Sequence, residues 1–467
     1  MRGRAGAARR QSIRRADLAR LFARRRLPPL RAALNGGRSV ASFRFVHTAD
    51  IHLDSPLKGL AGYDPAAAER VRTAGREAFD NLVAMAIDEG AAFVVIAGDL
   101  YDGDWRDYQT GLFFVSQMGR LARAGVRAFV VYGNHDAESQ ITRRLQLPDN
   151  VRVFSARKPE SVELGEFNAV LHGQSFGQRD MSVNMALAYP PPRGGAFNIG
   201  VLHTGLGGQA GPGAGAHPNY APCALEDLTN KGYDYWALGH VHKRGVLRER
   251  PHVVFPGNIQ GRHIRETGAK GAYLVTVEDG EVSGLEFSAT DVVRWALVPV
   301  AAGGCARLSE AMDLMRDAIA QAVQTQAEGR MLACRVEIRG RTEAHWALTA
   351  SGETLLAEAR AAALAAGGGF AWVERVDVAT GPVLNAAAME AREDALGTLQ
   401  RMLGEAADDP ELTRRLDDEI GVLIRKLPHE ARDDPDDPLL GSAVRGDYAA
   451  LIERVGGYLA ARITAAE

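Results

Sequence analysis

At 467 residues the chain exceeds one compact domain, and its 46% apolar and 24% charged shares are those of a folded globular protein. Cys223, Cys305 and Cys334 lie far apart without CxxC spacing, which argues against a disulfide framework or zinc knuckle and fits a reducing cytoplasm. The net charge of -3 hides an asymmetry: residues 1–40 carry twelve Arg against Asp17, or +11, leaving about -14 for the remainder.

In chain order, residues 1–40 read as a disordered basic leader, although an Arg-rich, acid-poor stretch also has the look of a transit peptide or a nucleic-acid-binding arm. From Ser42 to Tyr132 the pattern is strand–helix–strand–helix–strand. Pro65 opens one helix running to Glu89, and Gly125 stops another over about Tyr108–Ala124. That alternation predicts a layered α/β domain. Short strands at Val151–Phe154, Ser161–Leu164 and Ala169–Ser175 precede a predicted helix near Asp180–Ala188, broken by Pro190-Pro191-Pro192. The strand Phe197–His203 runs into Gly205–Pro222, too rich in Gly and Pro to be an element and read as a mobile loop. A helix near Ala224–Lys231, the strand Tyr235–Leu238 and further strands up to Val282–Ser288 complete a second sheet, so the first domain is placed at 41–291.

Residues 292–380 read β-α-β-α-β and predict a small α/β cap domain. The remainder, 381–467, is helical, with helices near Ala386–Leu403, Glu411–Leu427 and Ser442–Ile463 and an acidic linker at Asp433–Pro438. Leu412, Leu416, Ile420, Leu423 and Leu427 form an apolar stripe, as do Tyr448, Leu451, Ile452, Val455 and Leu459. Such stripes are usually core, but their place beyond two complete domains makes this segment a candidate docking region. No apolar run reaches the roughly 18 residues of a membrane span.

The chemistry lies at strand ends. Phe93–Ala97 ends on Gly98-Asp99 with Asp102 just beyond, Phe43–Thr48 leads to Asp50 and His52, and Val126–Tyr132 leads to Gly133-Asn134-His135-Asp136. Phe197–Leu202 ends on His203, and Tyr235–Leu238 on Gly239-His240-Val241-His242. Open α/β sheets keep their sites at the C-terminal edges of strands. Taken singly each pattern is weak, because Gly-Asp is ordinary turn chemistry and a lone His is usually structural. Their recurrence is the signal, with Asp99 as hub. Mixed oxygen and imidazole donors suit manganese, iron or zinc better than calcium or magnesium cages of oxygen alone. Seven donors exceed one tetrahedral ion and match two ions sharing a carboxylate, able to clamp the attacking and leaving oxygens of a displacement at phosphorus. His172, His217, His345 and His429 have no such context.

DxH, GDxxD, GNHD, an isolated His and GHxH together resemble the calcineurin-like metallophosphoesterases. His47–Leu57, Gly98–Trp105, Gly133–Val151, Tyr233–His242 and Phe255–Gly268 are similar to SbcD-type DNA repair exonucleases, particularly the YhaO-like subgroup. The likeness covers about Ser42–Trp295, the last third only by layout, and not the leader. It implies a four-layer α-β-β-α metallophosphoesterase sandwich with a small α/β cap domain and C-terminal helices. By the same resemblance Asp50, His52 and His242 hold one ion, Asn134, His203 and His240 the other, and Asp99 bridges. His135, not a ligand by this resemblance and oriented by Asp102, is implied to stabilise or protonate the leaving 3′ oxygen; a nearby carboxylate keeps such a His protonated beside cations. Arg262, His263 and Arg265 are candidates for phosphate contacts with DNA, as are Arg143 and Arg144. The implied activity is a manganese-dependent DNA nuclease, 3′ to 5′, partnered by an SMC-like coiled-coil ATPase, with a homodimer also open. The rivals are a phosphoesterase for phosphoprotein or cyclic nucleotide, which GNHD in place of GNHE disfavours, and a non-catalytic metal-stabilised adaptor.

Overall fold

A computed structural model describes residues 42–55, 65–102, 108–137, 145–207, 220–368, 370–383, 391–427 and 438–466. The basic leader, Arg143, Arg144, His217, His429 and most of both the Gly-rich loop and the acidic linker fall outside these residues.

The first α/β series consists of β1 (Phe43–Thr48), α1 (Pro65–Asp88), β2 (Phe93–Ala97), α2 (Tyr108–Arg123) and β3 (Arg127–Val131), followed by the one-turn α3 (Asn134–Ala137) and β4 (Val151–Val153). The second series holds β5 (Glu160–Leu164), β6 (Ala169–Gly173), β7 (Phe197–His203), α4 (Leu225–Thr229), β8 (Tyr235–Gly239), β9 (Gly245–Glu249) and β10 (His252–Phe255). The hairpin β11 (Gly271–Glu278) and β12 (Glu281–Ala289) returns to the first sheet. The two six-stranded sheets have the orders β12-β11-β1-β2-β3-β4 and β5-β6-β7-β8-β10-β9. Both are mixed: β1 to β4 run parallel with β11 antiparallel to β1, and β6, β7, β8 and β10 run parallel between antiparallel β5 and β9.

The inner strands are apolar along their length because both faces are covered. One face of the first sheet packs on α1 and α2 through Phe79, Leu82, Val94, Ile96 and Phe114. The other meets the second sheet through Phe45, Val95, Phe129, Ile199, Val201 and Tyr235. There the Phe45 and Phe93 rings stack at 5.1 Å, with Tyr235 edge-on to Phe45 at 5.3 Å. Each such side chain removed from water contributes roughly 1.5–3 kcal/mol. The outer layer of the second sheet is thin. The segment expected to be helical near Asp180–Ala188 forms only a 3-10 turn at Met185–Ala188, because the Asn184 side chain caps Ala186 N and the prolines follow at once.

A third, parallel sheet joins β13 (Val293–Ala301), β14 (Met331–Arg341) and β15 (Ala371–Gly381) in that order. Between them run α5 (Leu308–Gln326), the short α6 (His345–Ala350) and α7 (Gly352–Gly367). Those helices and the sheet bury a core that includes Val298, Met315, Ile338 and Leu355. Trp295, Trp372 and Met331 lie in a separate cluster with Val71 and Ala74 of α1, which joins this unit to the first. The tail has α8 (Ala395–Ala407), α9 (Pro410–Lys426), α10 (Pro438–Arg445) and α11 (Tyr448–Ala466). The single helix expected at Ser442–Ile463 is thus two, parted where Gly446 takes φ +69°. Leu396 and Ala460 of the tail pack with Trp346 of α6. Among the described residues no helix is long and apolar enough to cross a membrane.

Candidate metal centre

The parallel strands β1, β2 and β3 of one sheet and β7 and β8 of the other all point their C-terminal ends at the same rim. The first sheet delivers Asp50, His52, Asp99 and Asn134, and the second His203, His240 and His242. The seam between them is closed by main chain: Asp50 N donates to Gly98 O at 3.0 Å and His52 N to Asp99 O at 3.0 Å. His240 N donates across the seam to Asp50 Oδ1 and Oδ2 at 2.9 and 3.1 Å. Aiming these side chains requires left-handed backbone at Asp50, His52, Asp99 and His240, with φ of 49°, 45°, 50° and 102°. Each such non-glycine residue costs on the order of 1–3 kcal/mol, a strain typical of functional sites. Gly98, at φ +97°, lies so close to His203 that a Cβ there would overlap the imidazole. A Cβ on Gly133 would overlap the Asp99 carboxylate.

Among the described residues three groups of ligand-type atoms gather within 4.8 Å: His52–Asp102–His135 at the mouth and, deeper, Asp50–His52–His242 and Asp99–His203–His240. Asp99 lies between the deeper two: its Oδ2 is 3.4 Å from His203 Nε2 and 3.8 Å from His52 Nε2, while its Oδ1 accepts from His135 N at 3.0 Å. Asn134 Oδ1 is 3.0 Å from His203 Nε2, on the same side. The imidazole tautomers are set from behind. His203 Nδ1 donates to Ala97 O at 2.9 Å, and His242 Nδ1 to Glu266 Oε1 at 2.7 Å, which turns both Nε2 atoms inward.

These donors fit divalent cations. His52 Nε2 and His242 Nε2 face each other at 3.1 Å. That is the spacing two nitrogens take on one ion with bonds of about 2.0–2.1 Å. The electrostatics agree. Burial works against a charged imidazole at His203, yet Asp99 and then Asp50 push its pKa up to about 9. A proton on His203 answers a negative field that a cation would answer better. Burial opposes ionisation of Asp99 too, but His203, His52 and His135 hold it below the usual carboxylate range. Asp50 is raised, chiefly by burial.

His135 and Asp102 stand at the mouth. His135 Nδ1 is 2.7 Å from Asp102 Oδ1, and the His135 side chain keeps 31% exposure. Burial lowers the His135 pKa, but the hydrogen bond to Asp102 and the negative charges of Asp99 and Asp102 together outweigh it, and the net shift is upward. Asp102 is steadied by the Ser55 hydroxyl and lies 3.7 Å from Arg262 Nη1. Of the three residues expected to meet phosphate, Arg262 is turned inward, with Nη2 3.2 Å from Glu266 Oε1 and 19% side-chain exposure. His263 is half-buried with Nε2 3.8 Å from Glu266, and Arg265 is exposed. Other histidines are structural: His47 sits between the Tyr235 hydroxyl and Leu238 O, burial holding its pKa near 3. His172 is bound to Ser161 and Asn198, and His345 to Thr380.

Two residues went unassigned in the sequence. Asp136 accepts from Leu100 N, Tyr101 N and Gly133 N at 2.8–3.1 Å, so it splices the loop carrying Asp99 to the turn carrying Asn134. Glu266 backs His242. Its only local signal was the i,i+4 spacing from Arg262.

A family model described as calcineurin-like phosphoesterase matches residues 43–244, and one described as the middle domain of metallophosphoesterase YhaO matches residues 295–381. The protein described as "Uncharacterized metallophosphoesterase YhaO" from Bacillus subtilis (strain 168) is 34% identical over 315 residues, covering 67% of this chain and 75% of that protein. Two proteins described as "DNA double-strand break repair protein Mre11" are more distant. That of Methanopyrus kandleri is 24% identical over 43% of this chain, and that of Sulfurisphaera tokodaii 26% identical over 37%, each matched over 44% of its own length. Family models over both α/β units and a relative matched over three quarters of its length lead to one assignment: this chain belongs to the YhaO family of calcineurin-like metallophosphoesterases, a family of metal-dependent hydrolases.

Proposed function

We propose that the protein is a two-metal DNA nuclease, acting from 3′ to 5′ with manganese. The observation that carries the reading is the Asp99 carboxylate reaching toward both imidazole groups while its other oxygen fixes His135, which is itself bound to Asp102. Asp50, His52 and His242 would hold one ion, Asn134, His203 and His240 the other, with Asp99 common to both. Bound ions there supply charge for the phosphate and a nucleophile at neutral pH. His135 has Nδ1 committed to Asp102, which leaves Nε2 to protonate the departing 3′ oxygen. The bond from His135 N to Asp99 Oδ1 keeps that donor in register with the ion positions. Arg265, exposed beside the site, is the freest of the three phosphate candidates.

DNA as substrate draws its support from the two Mre11 relatives and from the GDxxD and GNHD motifs. Outside the leader the chain is acidic, so the grip on DNA would come from a partner, an SMC-like ATPase docked on the tail helices. Met402 and Leu423 are exposed there, as are Tyr458 and Leu459.

The test is hydrolysis of end-labelled duplex and single-stranded DNA beside a phosphopeptide and a cyclic nucleotide, with manganese and with EDTA. The expected result is stepwise shortening of DNA from its 3′ end, dependent on manganese. Faster turnover of the phosphopeptide or the cyclic nucleotide, with intact DNA, overturns the reading.

A further inference from the structure

Behind the first ion position stands a carboxylate that the reaction as described does not use. Glu266 is 6% exposed, and both of its oxygens are engaged. Oε1 accepts from His242 Nδ1 at 2.7 Å and from Arg262 Nη2 at 3.2 Å. Oε2 accepts from Asn258 Nδ2 at 2.9 Å and from Arg262 N at 2.8 Å. A carboxylate held by four donors has little freedom to turn, so the ring it holds has little either.

The segment that carries Glu266 is anchored from the middle unit. Trp295 Nε1 donates to Gly261 O at 3.1 Å and Gly268 N to Trp295 O at 3.0 Å. Gln260 Oε1 accepts from Val292 N at 2.9 Å, and its Nε2 donates to Val293 O at 2.6 Å. His242 is also held by its own carbonyl, which accepts from Lys270 Nζ at 3.0 Å.

His203 and His242, one imidazole from each ion position, therefore differ in what backs them. His203 leans on a neutral main-chain carbonyl, Ala97 O, and His242 on an anionic carboxylate. A carboxylate behind a ligand imidazole fixes its tautomer and makes its inner nitrogen more basic; loss of such a partner typically costs 10–100-fold in metal affinity.

We propose that Glu266 is a positioning residue of the phosphoesterase site, holding His242 Nε2 toward the first ion and, through Arg262, fixing the surroundings of Asp102. The inference rests on the metal-site reading above. It makes the first ion position, unlike the second, depend on a loop fastened to the middle unit.

The experiment titrates the full-length metal-free protein with Mn2+ and with Co2+, reading stoichiometry and affinity by calorimetry and coordination by Co2+ visible absorption. E266A and E266Q are compared with the parent. The expected result is two ions in the parent and, in E266A, about 10–100-fold weaker binding of one ion with an altered Co2+ spectrum. E266Q, which keeps an amide oxygen for His242 Nδ1, falls between. Thermal unfolding of the metal-free proteins separates a structural effect, which would lower the midpoint and leave the spectrum alone. Should E266A fail to fold, E266Q decides: unchanged affinities and spectrum overturn the proposal. A parent that binds no ion overturns the metal-site reading instead.

Discussion

The seam between the two large sheets and the small parallel sheet of β13, β14 and β15 both contain buried apolar strands, the seam strands almost throughout and the small-sheet strands chiefly in their first halves, and they end differently. At the seam the strands run into Asp50, His52, Asp99 and His240, all in left-handed backbone. Among the described residues of 293–381, Glu328 is the one non-glycine with positive φ, at a turn before Gly329. The small sheet ends in Ala301, Arg341 and Gly381. Strain is concentrated where Asp50, His52, Asp99 and His240 are aimed, and the strand ends of the middle unit are free of it. The first supplies chemistry at the expense of stability, and the second supplies a stiff support.

That contrast can be broken at several points. Asp99→Asn has the largest expected effect: phosphodiester hydrolysis falls to background and metal analysis finds both ions lost. Two retained ions would show that Asp99 is not shared. His135→Ala should lower kcat by about 10²–10⁴-fold with metal content unchanged. Lost metal would move His135 from proton donor to ligand. On the other side of the comparison, Ile338→Ala in the core of the small sheet should cost about 2–5 kcal/mol in denaturant unfolding and leave Mn2+ affinity alone. Weakened Mn2+ binding would mean that the two units unfold as one. The smallest effect, ion for ion, is that of the metal itself: Mn2+ at about 100 times its Kd should stabilise the parent by about 2.7 kcal/mol per ion bound and leave Asp99→Asn unmoved in a thermal melt.

The seam was legible in the sequence because strands buried on both faces read as unbroken apolar runs, and each stops abruptly on a polar residue. Phe93–Ala97 before Gly98-Asp99 is the clearest instance. Asp99 and the imidazoles could be gathered by motif, although nothing in their spacing told which atom faces which. Weaker local signals misled. Asp180–Ala188 has helical composition, but Asn184 caps so late that only one tight turn fits before Pro190. The last helix looked continuous because Gly446-Asp447 is a mild interruption until the glycine turns left-handed. The short α6 was hidden between two stronger patterns. Glu266 was illegible for another reason: it meets His242 from a different loop, 24 residues later in the chain. Only the closing of that loop onto Trp295 brings them together.

The lack of room behind Gly98 and Gly133 has a consequence for how this site can change. With hydrogen atoms as its floor, the basin has a depth that no side-chain exchange can reset, since even a methyl group would displace an imidazole or the central carboxylate. Sequence drift is closed below and open above, so new substrate preferences can arise from the rim loops while the basin stays as it is.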